Sequence, residues 1–87
     1  MKVILRGRAY TLKFGTVPDD GDGLCDPPDK VGKTITINSK LKGERRLDVI
    51  IHELLHATNW DLDEVPVNDT ATDIARVLTR LGYKNER

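Results

Sequence analysis

The sequence is organised around the stretch Ile51-His52-Glu53-Leu54-Leu55-His56-Ala57, which contains the pattern His-Glu-x-x-His. Side chains four residues apart lie on the same face of an α-helix, so a helix here would direct His52 and His56 toward one point. Two imidazoles at this spacing can share a zinc ion, and the intervening Glu53 is then placed to act on a water at the metal. The stretch therefore predicts a helix with His52 and His56 as metal ligands and Glu53 as a general base.

The residues around the motif fit a helix that is apolar on one side. On a helical wheel at about 100° per residue, with His52 at zero, His56 falls near 40° and Glu53 at about 100°, a position expected to be near solvent. The apolar side chains on the arc from about 160° to 300° are Leu47, Ile50, Ile51, Leu54 and Leu55. The chain has two histidines and both belong to the motif, which favours a metal site over a chance pattern.

Composition bounds the class of protein. With 87 residues, 38% of them hydrophobic and 32% charged, the chain is predicted to form one globular domain, 1–87, with a modest core. Its formal net charge is zero, so no overall basic field favours nucleic acid. Its apolar runs are too short for a signal peptide or a membrane span. The single cysteine, Cys25, allows no intramolecular disulfide and fits a reducing cytoplasm. We expect a monomer that contacts neither membrane nor nucleic acid.

Three segments outside the motif alternate apolar and polar residues as strands do. They are residues 2–6, 9–14 and 33–38, with Gly7-Arg8 as a two-residue hairpin turn between the first two. The motif helix is predicted over residues 44–59. A second helix is predicted after an N-cap at Asp63, running to Leu81 and ended by Gly82. Together these elements predict an α+β fold in which a small three-stranded, mostly antiparallel sheet packs on two helices.

Residues 15–32 are rich in glycine, proline and aspartate and predict a long irregular loop, which in so small a domain is functional or mobile. The segment lacks the twelve-residue ligand pattern and the closing Glu of an EF-hand calcium loop. Cys25 lies within it, and a thiolate there is an alternative zinc ligand.

A zinc site needs a third protein ligand, and the second helix has to supply it. With Asp73 at zero on the wheel, the apolar residues of that helix span about 40° to 200°, so Asp73 lies at the edge of its apolar face. Asp69 lies about 40° further out, and Glu64 is placed ahead of the helix proper. We therefore predict Asp73 as the third ligand. Asp69 is an alternative ligand, or a carboxylate that orients a histidine, and a group other than these two is the third alternative.

His52-Glu53-Leu54-Leu55-His56 followed by an acidic helix resembles the zincin metallopeptidases, and more closely the small single-domain HExxH proteins encoded by phages and prophages. The likeness covers nearly the whole chain, including Cys25-Asp26-Pro27-Pro28 and Lys33-Thr34-Ile35-Thr36-Ile37. It implies a zinc-dependent hydrolase of peptide bonds, acting on a peptide or protein in the cytoplasm of a bacterial host. The larger zincins with two helices usually take Glu as third ligand. This chain has no Glu in the second helix after Glu64, so in this interpretation Asp substitutes.

In the resulting mechanism, zinc polarises a water and the substrate carbonyl, and Glu53 takes the water proton and delivers it to the leaving amine. The strand ending near Asn38 is a candidate edge for pairing with an extended peptide. The candidates for stabilising the oxyanion are Tyr10, Arg76 and Tyr83.

Two other functions stay open at this stage. One is a non-catalytic, zinc-stabilised binding module with Cys25 as a fourth ligand. The other is a metal-free phage accessory protein that binds a host factor. An open coordination position favours the enzyme, whereas a thiolate ligand favours the module.

Overall fold

The computed structural model describes residues 1–84, so the last three residues of the predicted domain 1–87 lie outside it. The helices are α1, Gly43–Thr58, and α2, Glu64–Arg80. The strands are β1, Lys2–Leu5, β2, Arg8–Gly15, β3, Gly23–Cys25, and β4, Thr34–Asn38. The α+β class is confirmed, with one strand more than the three predicted.

The additional strand, β3, lies inside the segment predicted to be an irregular loop. The sheet order is β1-β2-β4-β3, and β3 pairs antiparallel with β4 in the register Leu24↔Thr36. The Asp26 carboxylate accepts hydrogen bonds from the Thr34 N–H and hydroxyl at 2.9 and 3.1 Å, which anchors the end of β3 to the start of β4. Three residues are too few to show an alternating pattern, and the strand exists because β4 provides it with partners.

The β1–β2 hairpin turns one residue earlier than predicted. Its central residues are Arg6 and Gly7, with φ of 50° and 79°, between the paired Leu5 and Arg8. Positive φ at both central positions is the property of a type I′ turn, whose twist matches that of the flanking strands.

β4 lies inside the sheet, so the prediction that the strand ending at Asn38 is an edge is wrong. It pairs parallel with β2 and antiparallel with β3, and its Ile35 and Ile37 are fully buried. The edges of the sheet are β1 and β3. The reason is the path of the chain. After β2 the chain first forms β3, and it then returns as β4, which lies between β2 and β3.

Helix α1 packs against both the sheet and α2, and this determines which of its residues are buried. Ile50 and Leu54 contact the core of the sheet. The deepest burial is at Val49, Glu53 and Ala57, rather than on the predicted apolar arc, whose members are only partly buried. Within residues 1–84, neither helix has the length and hydropathy needed to cross a bilayer.

Candidate metal centre

Three side chains from the two helices converge at the end of the helical hairpin. His52 and His56 lie on successive turns near the C-terminus of α1, and Glu64 is the first residue of α2. The two Nε2 atoms are 3.1 Å apart. Glu64 Oε2 lies 3.4 Å from His52 Nε2, and Glu64 Oε1 lies 3.0 Å from His56 Nε2. Among the described residues, these three form a group that could hold a metal ion.

The spacing of the three donors fits one small cation. A tetrahedral ion with donors at about 2.0–2.1 Å separates each pair of ligand atoms by roughly 3.3 Å. The observed separations of 3.1, 3.4 and 3.0 Å lie close to that edge length. Two nitrogens that face each other at this distance, with a carboxylate against both, therefore have the spacing needed to hold one ion between them.

The environment of His52 favours the neutral imidazole, which is the form that binds metals. The His52 and His56 side chains are only 18% and 15% exposed. Burial lowers the pKa of His52, and the neighbouring His56 lowers it further. Near neutral pH the His52 ring is thus neutral, and the lone pair of its unprotonated nitrogen is available to a metal ion.

The structure does not bring the predicted third ligand, Asp73, to the histidines. Its carboxylate is 68% exposed and pairs with Arg76 at 3.0 Å. The two helices run antiparallel, because Glu64 meets His56 and the Thr72 hydroxyl donates a 2.9 Å hydrogen bond to Asp48. Asp73 therefore lies beside the turn of α1 that comes before His52. Its side chain is directed to solvent rather than toward α1.

The alternative, Asp69, is exposed and also lies outside the converging group. The sequence did contain a signal for Glu64 instead. Glu64 is the first member of a stripe at spacings of three and four residues, and the later members face α1 or are partly buried: Val67, Ala71, Ala75 and Leu78. The prediction that Glu64 precedes the helix was wrong, because α2 begins with Glu64 itself after the N-cap Asp63. Glu64 therefore lies on the same face of α2 as the residues that pack on α1.

Glu53 is buried, with 8% of its surface exposed, so the expectation that it lies near solvent is wrong. Strand β3 covers this side of α1, with Gly23 against the Glu53 side chain. Burial, followed by the charges of Glu64 and Asp22, raises the pKa of Glu53 to about 7. Its carboxylate makes no hydrogen bond or ion pair with any described residue. A buried, unpaired acid with a strongly raised pKa is typical of a functional site.

A pocket of about 520 Å³ opens beside these residues. His52, Glu53, His56 and Glu64 line one side of it, and β3 lines the other. The Trp60 ring lies 6.5 Å from the His56 ring, between centroids. Three half-exposed apolar side chains surround the opening: Leu24, Trp60 and Leu62. The pocket therefore offers an apolar wall next to one buried acid and three side chains that could hold a metal ion.

Cys25 lines the same pocket but does not belong to the converging ligand group within residues 1–84. Its thiol is directed to the Asp26 carbonyl oxygen, 3.5 Å away. Burial, together with the charges of Glu53 and Asp26, raises the pKa of the thiol to about 12. The group is thus a neutral thiol in the metal-free protein.

The predicted oxyanion-stabilising residues are not among the described residues that line the pocket. Tyr10 is fully buried in the core of the sheet, Arg76 pairs with Asp73, and Tyr83 is exposed beyond α2. The residues brought together are His52, Glu53 and His56, as predicted, with Glu64 in addition.

Comparison of the chain with models of protein families, with curated proteins and with solved structures finds no match. Within residues 1–84, His52, His56 and Glu64 form a group that could hold a metal ion, beside the buried acid Glu53.

Proposed function

We propose that this protein is a zinc-dependent peptidase in which Glu53 acts as general base. The observation that carries the proposal is the position of Glu53: a buried, unpaired carboxylate in the same pocket as three converging metal ligands. A structural metal site does not need such a group, whereas a hydrolytic site needs a base beside its metal.

The donor set supports zinc as the metal. Two imidazole nitrogens and one carboxylate are a ligand set used by catalytic zinc sites, which keep the fourth position for water or substrate. The harder cations Ca²⁺ and Mg²⁺ prefer oxygen ligands. Within residues 1–84 the group has three protein donors, whereas a closed structural site has four and would recruit Cys25.

Each residue then has a separate role. His52, His56 and Glu64 would hold the ion, which when bound supplies Lewis-acid activation of a water and of the scissile carbonyl. Glu53 accepts the proton of the attacking water and returns it to the leaving amine. A positive ion nearby also lowers the pKa of Glu53 from its metal-free value and keeps the base ionised.

Strand β3 supports a peptide as the substrate, because it is an edge strand that borders the pocket. Asp26 N–H donates to Thr34 O, and Asn38 N–H donates to Asp22 O, so alternate residues of this segment bond to β4. By the same alternation, the backbone N–H and C=O groups of Gly23 and Cys25 face the open edge. An extended peptide could pair with them and lie across the metal ligands.

The test compares wild type with Glu53→Gln, both loaded with zinc, on unfolded proteins and a peptide library. We expect wild type to cleave and Glu53→Gln to lose about 10²-fold or more in rate, since an amide cannot accept the water proton. Glu44→Gln is a matched control, because Glu44 is exposed in the first turn of the same helix. Zinc content should be similar in all three proteins.

Cleavage by Glu53→Gln at the wild-type rate would overturn the proposed mechanism. Zinc binding without cleavage of any substrate, together with a fourth protein ligand at the metal, would replace it with the binding-module interpretation.

A further inference from the structure

A second pocket adjoins the pocket of the candidate metal centre at Trp60. It has a volume of about 340 Å³ and shares Trp60 and Leu62 with the first pocket as lining residues. Its remaining walls come from the β1–β2 hairpin, the end of α1 with the connection to α2, and Pro28. Because the two pockets share an indole wall, one extended molecule could occupy both.

The hairpin contributes two guanidinium groups to this second pocket, Arg6 and Arg8. Arg6 Nη1 donates to the Thr58 carbonyl oxygen at 3.2 Å and to Asn59 Oδ1 at 3.0 Å. Both acceptors are neutral, so they orient Arg6 without cancelling its charge.

Arg8 is exposed, and its guanidinium group has neither a hydrogen bond nor a salt bridge with any residue of 1–84. One carboxylate, Asp61, also lines the pocket, and no cation of the described chain lies within salt-bridge distance of it. Two positive charges against one negative charge leave the pocket with a net positive charge. Of the four other arginines in residues 1–84, two have acidic partners: Arg45 with Asp22 and Asp48, and Arg76 with Asp73.

We infer that this pocket is a subsite for a carboxylate of the peptide substrate, bound by Arg8 with Arg6 and reached past Trp60. The inference rests on the proposed peptidase function and names a preference of that same site. Guanidinium groups bind carboxylates through paired N–H donors, and an unpaired Arg8 has its donors free for this purpose. The carboxylate can be an acidic side chain or the C-terminus of the peptide, since both present the same two oxygens.

The first test uses the zinc-loaded full chain and pairs of peptides that differ in one group. One set exchanges Glu for Gln at each position around the cleaved bond, and the other exchanges a free C-terminus for a C-terminal amide. We expect wild type to cleave the carboxylate member of at least one set about fivefold faster in kcat/KM. In Arg8→Gln that ratio should fall to about one. Arg80→Gln makes the same charge change at an exposed position of α2 and should keep the wild-type ratio.

The set that shows the preference identifies the source of the carboxylate, side chain or terminus. Equal cleavage of both members by wild type, or an unchanged ratio in Arg8→Gln, would overturn the inference.

A second measurement does not depend on hydrolysis. The chain has one tryptophan, so the indole N–H of Trp60 gives a single NMR resonance. We expect the α-amide of N-acetylglutamate or free N-acetyl-leucine to shift this resonance in the zinc-loaded protein, and their uncharged amide counterparts to leave it in place. The shift should be lost in Arg8→Gln.

The two measurements separate the inference from the function on which it rests. If wild type cleaves nothing but shows the Arg8-dependent shift, the peptidase proposal fails and the carboxylate subsite stands. If wild type cleaves peptides and the shift persists in Arg8→Gln, the carboxylate binds elsewhere, such as at the metal, and the subsite is wrong.

Discussion

Gly23 of β3 lies directly against Glu53 of α1, and the space between them has no room for a side chain at position 23. A Cβ atom added to Gly23 would come within 2.9 Å of both Glu53 Cγ and Oε2, and within 3.0 Å of Val49 Cγ1. This close approach is what buries the Glu53 side chain, and burial is the main cause of its raised pKa. The edge strand and the proposed general base are therefore coupled by packing.

Gly23→Ala should consequently disturb both stability and the site. We expect the free energy of unfolding to fall by about 1–3 kcal/mol, because the added methyl forces β3 and α1 apart or displaces Glu53. Gly15→Ala is the matched control, since no atom lies within 4 Å of its added Cβ. Its effect should stay within about 0.5 kcal/mol. Urea unfolding measures the stability of both variants. If Gly23→Ala and Gly15→Ala are equally stable, β3 and α1 have room for a methyl group between them, and the close packing of Gly23 on Glu53 is wrong.

Removal of the Glu64 carboxylate should weaken zinc binding far more than removal of the Asp73 carboxylate. Glu64 touches both imidazoles, whereas Asp73 pairs with Arg76. We expect Glu64→Gln to raise the zinc dissociation constant by about 100-fold or more, which exceeds the effect of losing a residue that only orients a ligand. Asp73→Asn should bind nearly as wild type does. Calorimetric titration with zinc measures both, and a larger loss in Asp73→Asn would restore Asp73 as the ligand.

Chelation should lower the melting temperature of the zinc-loaded protein. A ligand that binds only the folded state at about 100 times its dissociation constant stabilises it by about 2.7 kcal/mol. For a chain of this size that corresponds to a shift of about 10 °C or more. A melting curve of His52→Ala should not respond to chelator, since one imidazole is gone. An equal response in wild type and variant would point to metal bound elsewhere.

The metal-free protein should lose stability as pH rises toward neutrality because of Glu53. Its pKa is raised to about 7 in the folded state, so the folded protein holds this proton more tightly than the unfolded chain does. Between about pH 4.5 and 7 that contribution therefore declines as pH increases. Glu53→Gln cannot titrate, so its stability relative to wild type should grow across this interval by up to about 3 kcal/mol.

Urea unfolding in chelator at several pH values measures this difference, with Glu44→Gln as the control that should show no such trend. A difference between Glu53→Gln and wild type that does not change with pH would mean that Glu53 keeps an ordinary pKa in the folded protein.

The sequence by itself determined the parts of the site that lie within one element. The His-Glu-x-x-His spacing places His52 and His56 on one face of α1, because helical periodicity is a local property of the chain. The same local signals predicted the N-cap Asp63 and the end of α2 before Gly82, whose φ of 94° is the left-handed conformation that glycine adopts readily. The α+β class followed from these periodicities.

Only the tertiary structure decided the third member of the candidate metal group, the burial of Glu53 and the edge of the sheet. Glu64 lies against the two histidines because the antiparallel packing of α2 on α1 places the first turn of α2 beside the last turns of α1. A helical wheel of one helix does not show which of its turns lies beside which turn of another helix. Glu53 is buried because β3, a strand of three residues, folds onto β4 and against α1. These are contacts between segments distant in sequence, whose energies depend on how whole elements pack rather than on the pattern within any one of them.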